Sequence, residues 1–514
     1  MKILIPMAGH SRRFRENGHK GHKAFLQVGN SKMINHVVDM FSEEDEFFFI
    51  LNEKYVSEEK KLYDYLKKIV PKSKVEVIKS HEKGPVYSLL ELKNLNDEDE
   101  IIITYCDFTV EWNYTQFKRN LIGIDGAIVT FRGFHPASYG NTYYAYIRTK
   151  KEIFLELREK RSFTNDRINE HASAGIYYFR TWETYKTYAK KTLEFKDSKL
   201  KESYVSLLYN HMQKDNLKTI IFPCEKFICL GTPEDYNEYQ FWYNAFVKSK
   251  KNEKKINKRK NSIILIPLAG NGTRFKNEGY RTPKPLIKVS GKPMVQKSHS
   301  SLPPSEQTIF VHKKISFDKH NLSTKFDFLF PNCKNILANN NTSGQASTCL
   351  LSKDFLPQKE LFIASCDYEH SYNKSKWDKI LKNNSIDGAI WTFRMKSNKM
   401  KNPNAFAYCL TEDDGIQVKK IIEKETISDT PEYDPLVTGT FWYRNGADMI
   451  LGAEKMIEKE ITVNNEYYVG TSINQLIAMG KKFIIFDVDT WLSFGDPFEL
   501  DIYDYWMDYF EKKY

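Results

Sequence analysis

Along the chain, short apolar runs alternate with segments whose apolar positions recur every three or four residues. Residues 2–7, 46–51, 74–78 and 101–105 read as buried strands, and 32–42, 57–69 and 86–94 as amphipathic helices between them. Strands and helices alternating at this spacing predict a mainly parallel sheet covered by helices, an α/β fold. The acidic and aromatic segments 234–247 and 499–514 predict helices that close each domain.

The pattern occurs twice. Residues 2–33, KILIPMAGHSRRFRENGHKGHKAFLQVGNSKM, follow the plan of residues 263–294, IILIPLAGNGTRFKNEGYRTPKPLIKVSGKPM, and later blocks keep register. Cys106-Asp107 parallels Cys366-Asp367, Glu159-Lys160 parallels Glu423-Lys424, Ala174-Gly175 parallels Thr438-Gly439, and Gly231 parallels Gly495. A repeat of this length is a whole domain and not a solenoid unit. The sequence therefore predicts two tandem domains, 1–247 and 262–514, joined by a basic linker, 248–261, that has almost nothing to bury. That run has no interleaved aromatic residues for base stacking, so a solvated linker is preferred over a nucleic-acid contact.

Composition narrows the class. A chain of 514 residues exceeds one ordinary domain, and 41 % hydrophobic residues supply cores for more than one. The net charge of +11 fits a handler of small anions, although charge alone also fits a weak nucleic-acid or membrane-surface binder. Seven cysteines form no C-x-x-C pair, which argues against a disulfide scaffold or structural zinc and points to cytoplasmic thiols. The first residues run as a strand into a glycine and not as a leader, and no apolar run approaches the roughly 20 residues of a membrane helix. The expectation is a soluble cytoplasmic protein with no membrane span and no nucleic-acid partner; homo-oligomerisation is left open.

The candidate chemistry lies at the end of the apolar run 263–268. Ala269-Gly270-Asn271-Gly272-Thr273 is a loop whose N–H groups can converge on phosphate, Arg274 adds a planar fork of donors, and Lys284, between two prolines, adds a point charge. Asp367 follows the apolar run 361–364, which places its carboxylate at the carboxyl end of a buried strand, where open α/β sheets bind ligands.

The order AGNGTRF, PKPL, GKPM resembles the signature of the sugar-phosphate nucleotidylyltransferases. The resemblance implies a GT-A-like, Rossmann-like fold and an enzyme that joins a nucleoside triphosphate to a phosphorylated acceptor with release of pyrophosphate. It further implies catalytic roles for Arg274 and Lys284, Mg²⁺ on Asp367, nucleotide contact by 269–273 and Gly344, and acceptor contact by Glu423, Thr438, Gly439 and Glu466. The repeat carries these roles to Arg13, Lys23, Asp107, Ala8, Gly9, Ser11, Gly84, Glu159, Gly175 and Glu202. Residues 437–469 resemble capsule-locus members most, which implies work on surface-polysaccharide precursors.

Two departures stand out. Many relatives have a second metal-binding Asp where this chain has Cys229 and Ser493. Ser11 replaces Gly272 in the first copy, and a serine narrows the freedom of the loop. A GT-A-type glycosyltransferase is the rival enzyme class, and a first copy that only binds nucleotide or dimerises is the non-enzymatic alternative.

Overall fold

The computed structural model describes residues 1–54, 60–140, 143–194, 202–248, 258–395 and 402–514. It divides into two compact units, Met1–Trp242 and Tyr243–Tyr514. In the first, the sheet strands are Lys2–Pro6 (β1), Glu46–Asn52 (β2), Lys74–Ile78 (β3), Ile101–Thr104 (β4), Gly126–Phe131 (β5), Ala145–Lys150 (β6), Ile153–Glu159 (β7), His171–Phe179 (β8) and Thr219–Pro223 (β9). Their order is β3-β2-β1-β4-β8-β5-β9-β7-β6. Pairings β1/β2, β1/β4, β2/β3 and β5/β9 are parallel, and β8 runs antiparallel to β4 and β5.

The second unit repeats this plan with Arg259–Leu268 (β10), Ser305–Lys313 (β11), Lys334–Ala338 (β12), Glu360–Ile363 (β13), Gly388–Phe393 (β14), Ala407–Thr411 (β15), Val418–Glu423 (β16), Leu436–Tyr443 (β17) and Phe483–Asp487 (β18). The order β12-β11-β10-β13-β17-β14-β18 matches the first unit strand for strand, with β15 paired to β16 and β17.

The strands are continuous apolar runs because both faces of each sheet are buried. Ile3, Phe47, Phe49 and Ile102 pack into one core while Leu4, Phe48, Ile50, Ile101 and Ile103 pack into another. The second unit divides the same way: Ile263, Leu265, Ile309 and Val311 go to one side, Ile264, Ile266, Phe310 and Phe362 to the other.

The helices differ from expectation mainly at their ends. The helix expected over 32–42 spans Met33–Val38, because Met40 and Phe41 bond three residues back, to the Val37 and Val38 carbonyls, and tighten the chain into a turn before β2. The helix over 86–94 is Pro85–Leu90, and that over 57–69 is described from Lys60 to Ile69, its expected start falling outside the described residues. The closing helices are Pro233–Tyr243 and Pro497–Lys513. Of the basic stretch 248–261, residues 249–257 lie outside the described residues. From Arg259 the chain is already strand, held by register with Ser305 and a 2.8 Å bond from Nε to Glu360 Oε2.

Residues 243–248 belong to the second unit. Tyr243 sits 6.0 Å from Phe510, and Phe246 sits 5.2 Å from Tyr503, ring centre to ring centre. A fragment 243–514 is therefore expected to resist urea better than 258–514 by roughly 3 kcal/mol, about the transfer energy of two aromatic side chains. Coincident unfolding curves for the two fragments would show that this packing contributes nothing.

Candidate active site

Each unit presents the same constellation at the carboxyl edge of its parallel strands. After β10 the chain enters the loop 269–273, and Gly272 holds φ +61°, ψ 36° as it opens the short helix Thr273–Asn277. Ser11, at φ 50°, ψ 34°, adopts the same left-handed backbone ahead of Arg12–Glu16. The serine thus follows the glycine's path, at a cost on the order of 1 kcal/mol. Its hydroxyl offsets part of this by accepting the Lys23 backbone N–H at 3.1 Å, a tie that Gly272 cannot make.

Lys284 and Lys23 reach across to the aspartates. Lys284 Nζ donates to Asp367 Oδ2 at 2.6 Å, and Lys23 Nζ to Asp107 Oδ2 at 2.5 Å. Each side chain in these pairs keeps only 20–25 % of its surface in solvent. Burial works against the Lys284 charge, yet Asp367 outweighs it and raises the ammonium above its usual range; Lys284 in turn lowers Asp367 against the same burial penalty. Both partners stay charged. Arg13 and Arg274 are exposed, and among the described residues neither guanidinium has an ion-pair partner, so both are available to an anion.

The aspartates are fixed by their backbones as well. Phe494 N–H donates to the Asp367 carbonyl at 3.0 Å and Leu230 N–H to that of Asp107 at 2.9 Å. These bonds extend two short ribbons, 368–371 with 490–493 and 108–111 with 226–229. Beside each aspartate the ribbon ends in a glycine, Gly495 or Gly231, neither of which needs a left-handed backbone. A Cβ on either would lie 3.0 Å from the carboxylate Oδ2. A bare Cα facing a carboxylate is a cradle that a side chain would fill, and oxygen donors at its edge suit a hard divalent cation such as Mg²⁺.

The nucleotide and acceptor candidates meet in a second cluster. Gly344, at φ 128°, opens the helix Gln345–Leu350, and a Cβ there would sit 2.5 Å from Tyr467 N. Tyr467 N–H donates to Ser343 O at 2.8 Å, and Ala346 N–H to Tyr467 O at 3.0 Å, so Gly344 is laced to the segment carrying Glu466. Gly84 lies likewise against Glu202 and Ser203. Glu423, at the end of β16, approaches Gly470 in the same segment, while Glu159, at the end of β7, accepts the Ser206 hydroxyl at 2.5 Å. Thr438 is buried, and Gly439 lies under the Tyr368 hydroxyl next to Asp367, as Gly175 lies under Tyr105 and Phe108. The candidate residues read from the sequence thus fall into two neighbouring groups per unit. Gly231, Gly495, Ser206, Gly470 and Glu499 were not singled out as site residues; the only available signal was their register across the repeat.

The first unit matches the MobA-like NTP transferase domain over residues 3–148, and the second the nucleotidyl transferase family over residues 262–509. The chain carries two NTP transferase domains in tandem, each on a Rossmann-like α/β fold. No curated protein sequence matches it. Solved structures similar to it include the nucleoside-diphosphate-sugar pyrophosphorylase of Vibrio cholerae RC9 (18 % identity, TM-score 0.38, covering 46 % of this chain and 98 % of that one). The inositol-1-phosphate CTP transferase of T. maritima (14 %, 0.39, 49 % and 97 %) and a putative glucose-1-phosphate thymidylyltransferase of Bacillus anthracis (15 %, 0.38, 48 % and 95 %) are others.

Burial pushes the Glu423 carboxyl up from 4.5 to about 7, against the opposing Lys424 charge. The folded state then holds a proton that the unfolded chain has lost, so stability falls as pH rises from 4.5 through about 7 and stays lost above it. Glu423→Gln is expected to match the parent at pH 4.5 and exceed it by on the order of 1–3 kcal/mol at pH 8. Melting at the two pH values checks this, and a pH-independent difference counts against it.

Proposed function

We propose that the protein is a nucleotidyltransferase that joins a nucleoside triphosphate to a phosphorylated small-molecule acceptor, a sugar 1-phosphate or similar, and releases pyrophosphate. The observation that carries this reading is the Lys–Asp pair beside an anion-ready loop, built twice at the carboxyl edge of the sheet. In the second unit the N–H groups of 269–273, Arg274 and Lys284 hold the triphosphate, Gly344 admits the base, and Glu423 and Glu466 face the acceptor. The acceptor phosphate oxygen attacks the α-phosphorus in line, the bond to the β-phosphate oxygen breaks, and pyrophosphate carries away the electron pair. Lys284 stabilises the charge that grows on the phosphates. Asp367 would hold Mg²⁺, which when bound neutralises phosphate charge as a Lewis acid.

We further infer that the first unit is a second site with a different acceptor, since it keeps Arg13, Lys23 and Asp107 while its acceptor-facing residues diverge. A role in capsule or other surface-polysaccharide precursor synthesis rests on the resemblance of residues 437–469, and placement in the cytoplasm on seven free cysteines. Among the described residues no helix is long and apolar enough to cross a membrane. A glycosyltransferase using a nucleotide sugar would release no pyrophosphate and would have no use for the triphosphate cradle.

Lys284→Ala and Asp367→Asn are each expected to lower pyrophosphate release by the second unit about a hundredfold or more, the order seen when one preorganised charge is removed. Near-normal rates in both folded variants would refute the assignment. Across a panel of the four nucleoside triphosphates with phosphorylated sugars, polyols and cationic alcohols, Asp107→Asn and Asp367→Asn should remove different activities. If Asp367→Asn removes all of them and residues 1–242 bind no nucleotide, the first unit is a structural relic.

A further inference from the structure

We propose that Glu499 supplies the second carboxylate of the cation site in the second unit, taking the place left empty by Ser493; this rests on the nucleotidyltransferase reading above. Glu499 lies in the first turn of the closing helix, three residues after Asp496, whose side chain accepts the Glu499 N–H at 2.9 Å. From there its side chain turns back along the chain. Oε2 accepts the Ser493 hydroxyl at 2.6 Å and the Gly495 N–H at 3.1 Å. The hydroxyl at position 493 therefore does not face the cradle as a ligand; it holds Glu499 there.

The cradle itself is bounded by two carboxylates. A Cβ on Gly495 would lie 3.0 Å from Asp367 Oδ2 and 3.5 Å from Glu499 Oε2, so both oxygens border the same edge of the glycine. Among the described residues nothing donates to the other oxygen, Oε1. Each bordering oxygen already has a donor, Lys284 on Asp367 Oδ2 and Ser493 and Gly495 on Glu499 Oε2, so Oε1 and the remaining Asp367 lone pairs are what the site offers Mg²⁺ or Mn²⁺, with water and phosphate completing the shell. A helix-capping role alone accounts for the bond to Gly495 N–H, but not for a carboxylate held against the same bare Cα that Asp367 faces.

The first unit sharpens the assignment. The residue in register with Glu499 is Asp235, one methylene shorter, which instead accepts the Thr232 hydroxyl at 2.7 Å. There the cradle at Gly231 is bordered by Asp107 Oδ2 at 3.0 Å and by Cys229 Sγ at 3.7 Å. At the glycine's nearest edge the second unit thus has two carboxylates where the first has a carboxylate and a thiol, and the second should hold a divalent cation more tightly.

Mn²⁺ alone, titrated into the intact chain and followed by the electron paramagnetic resonance of the free ion, tests this. Wild type should show a tighter class of site that Asp367→Asn removes. Glu499→Gln should weaken that class about tenfold or more. Its melting midpoint should be unchanged, because the amide oxygen still accepts from Ser493 and Gly495. Adding Ser493→Asp to Glu499→Gln should restore the affinity to within about threefold of wild type, with the carboxylate moved to the other side of the same gap. A Glu499→Gln isotherm that superimposes on wild type, while Asp367→Asn still loses the tighter class, overturns the proposal and leaves Glu499 a helix cap. If Asp367→Asn also leaves the isotherm unchanged, the metal reading on which the proposal rests is what fails.

Discussion

The lysine–aspartate pair at the carboxyl edge of each sheet is the interaction on which the rest of the site depends. Taking two charges this far out of water is not a good way to stabilise a fold, since desolvation offsets much of the attraction. The pair makes physical sense as a stored arrangement. The aspartate stands at the end of a buried strand with its carbonyl bonded to the 494 or 230 N–H, and the lysine is brought over it from the segment following the phosphate loop. The backbones of both residues are held by strand, ribbon and loop, and the charges stand paired, a preorganised arrangement of the kind from which electrostatic catalysis obtains its advantage.

The segments around the pair are tied to the candidate acceptor residues by further hydrogen bonds. Gly344 is laced to Tyr467 by two backbone hydrogen bonds, so the segment expected to read the base and the segment carrying Glu466 move as one. Tyr368, one residue beyond Asp367, shares a hydrogen bond between its hydroxyl and that of Thr440 and accepts the Ser365 N–H, which ties the aspartate's segment to the strand bearing Thr438 and Gly439.

Much of this was legible in the sequence, and for identifiable reasons. The strands declared themselves because both sheet faces are buried, which turns 3–5, 47–51 and 263–266 into unbroken apolar runs. That the loop, Lys284 and Asp367 come together was readable because glycine, cation and carboxylate occur in fixed order after such runs. Helix ends were less readable, since the stop after Val38 is made by backbone bonds from Met40 and Phe41 three residues back and not by a glycine or proline. Glu499 was hidden for a different reason. An acid in the first turn of a helix already has an ordinary explanation as a cap, and only the geometry shows it bordering the gap beside Asp367.

The two units agree at the loop, the lysine and the aspartate and part at the residues proposed to face an acceptor, and the divergence is steric as well as chemical. Ser206 fastens Glu159, whose side chain keeps only 6 % of its surface exposed, whereas at the matching Gly470 a Cβ would collide with Glu423 Oε1 at 2.4 Å. The glutamates therefore settle differently, one tethered by a hydroxyl and one lying over a bare backbone. Beside the aspartates, the Tyr105 ring packs 3.1 Å from the Cβ position of Gly175, while its counterpart Ser365 leaves that volume to the Tyr368 hydroxyl. The first unit thus sets two rings, Tyr105 and Phe108, against Gly175 where the second sets Tyr368 with its hydroxyl against Gly439. Duplication with conserved charges and altered walls is the pattern expected when one chemistry is kept and its acceptor is changed, because phosphate transfer constrains the charges while the walls are free to follow the ligand.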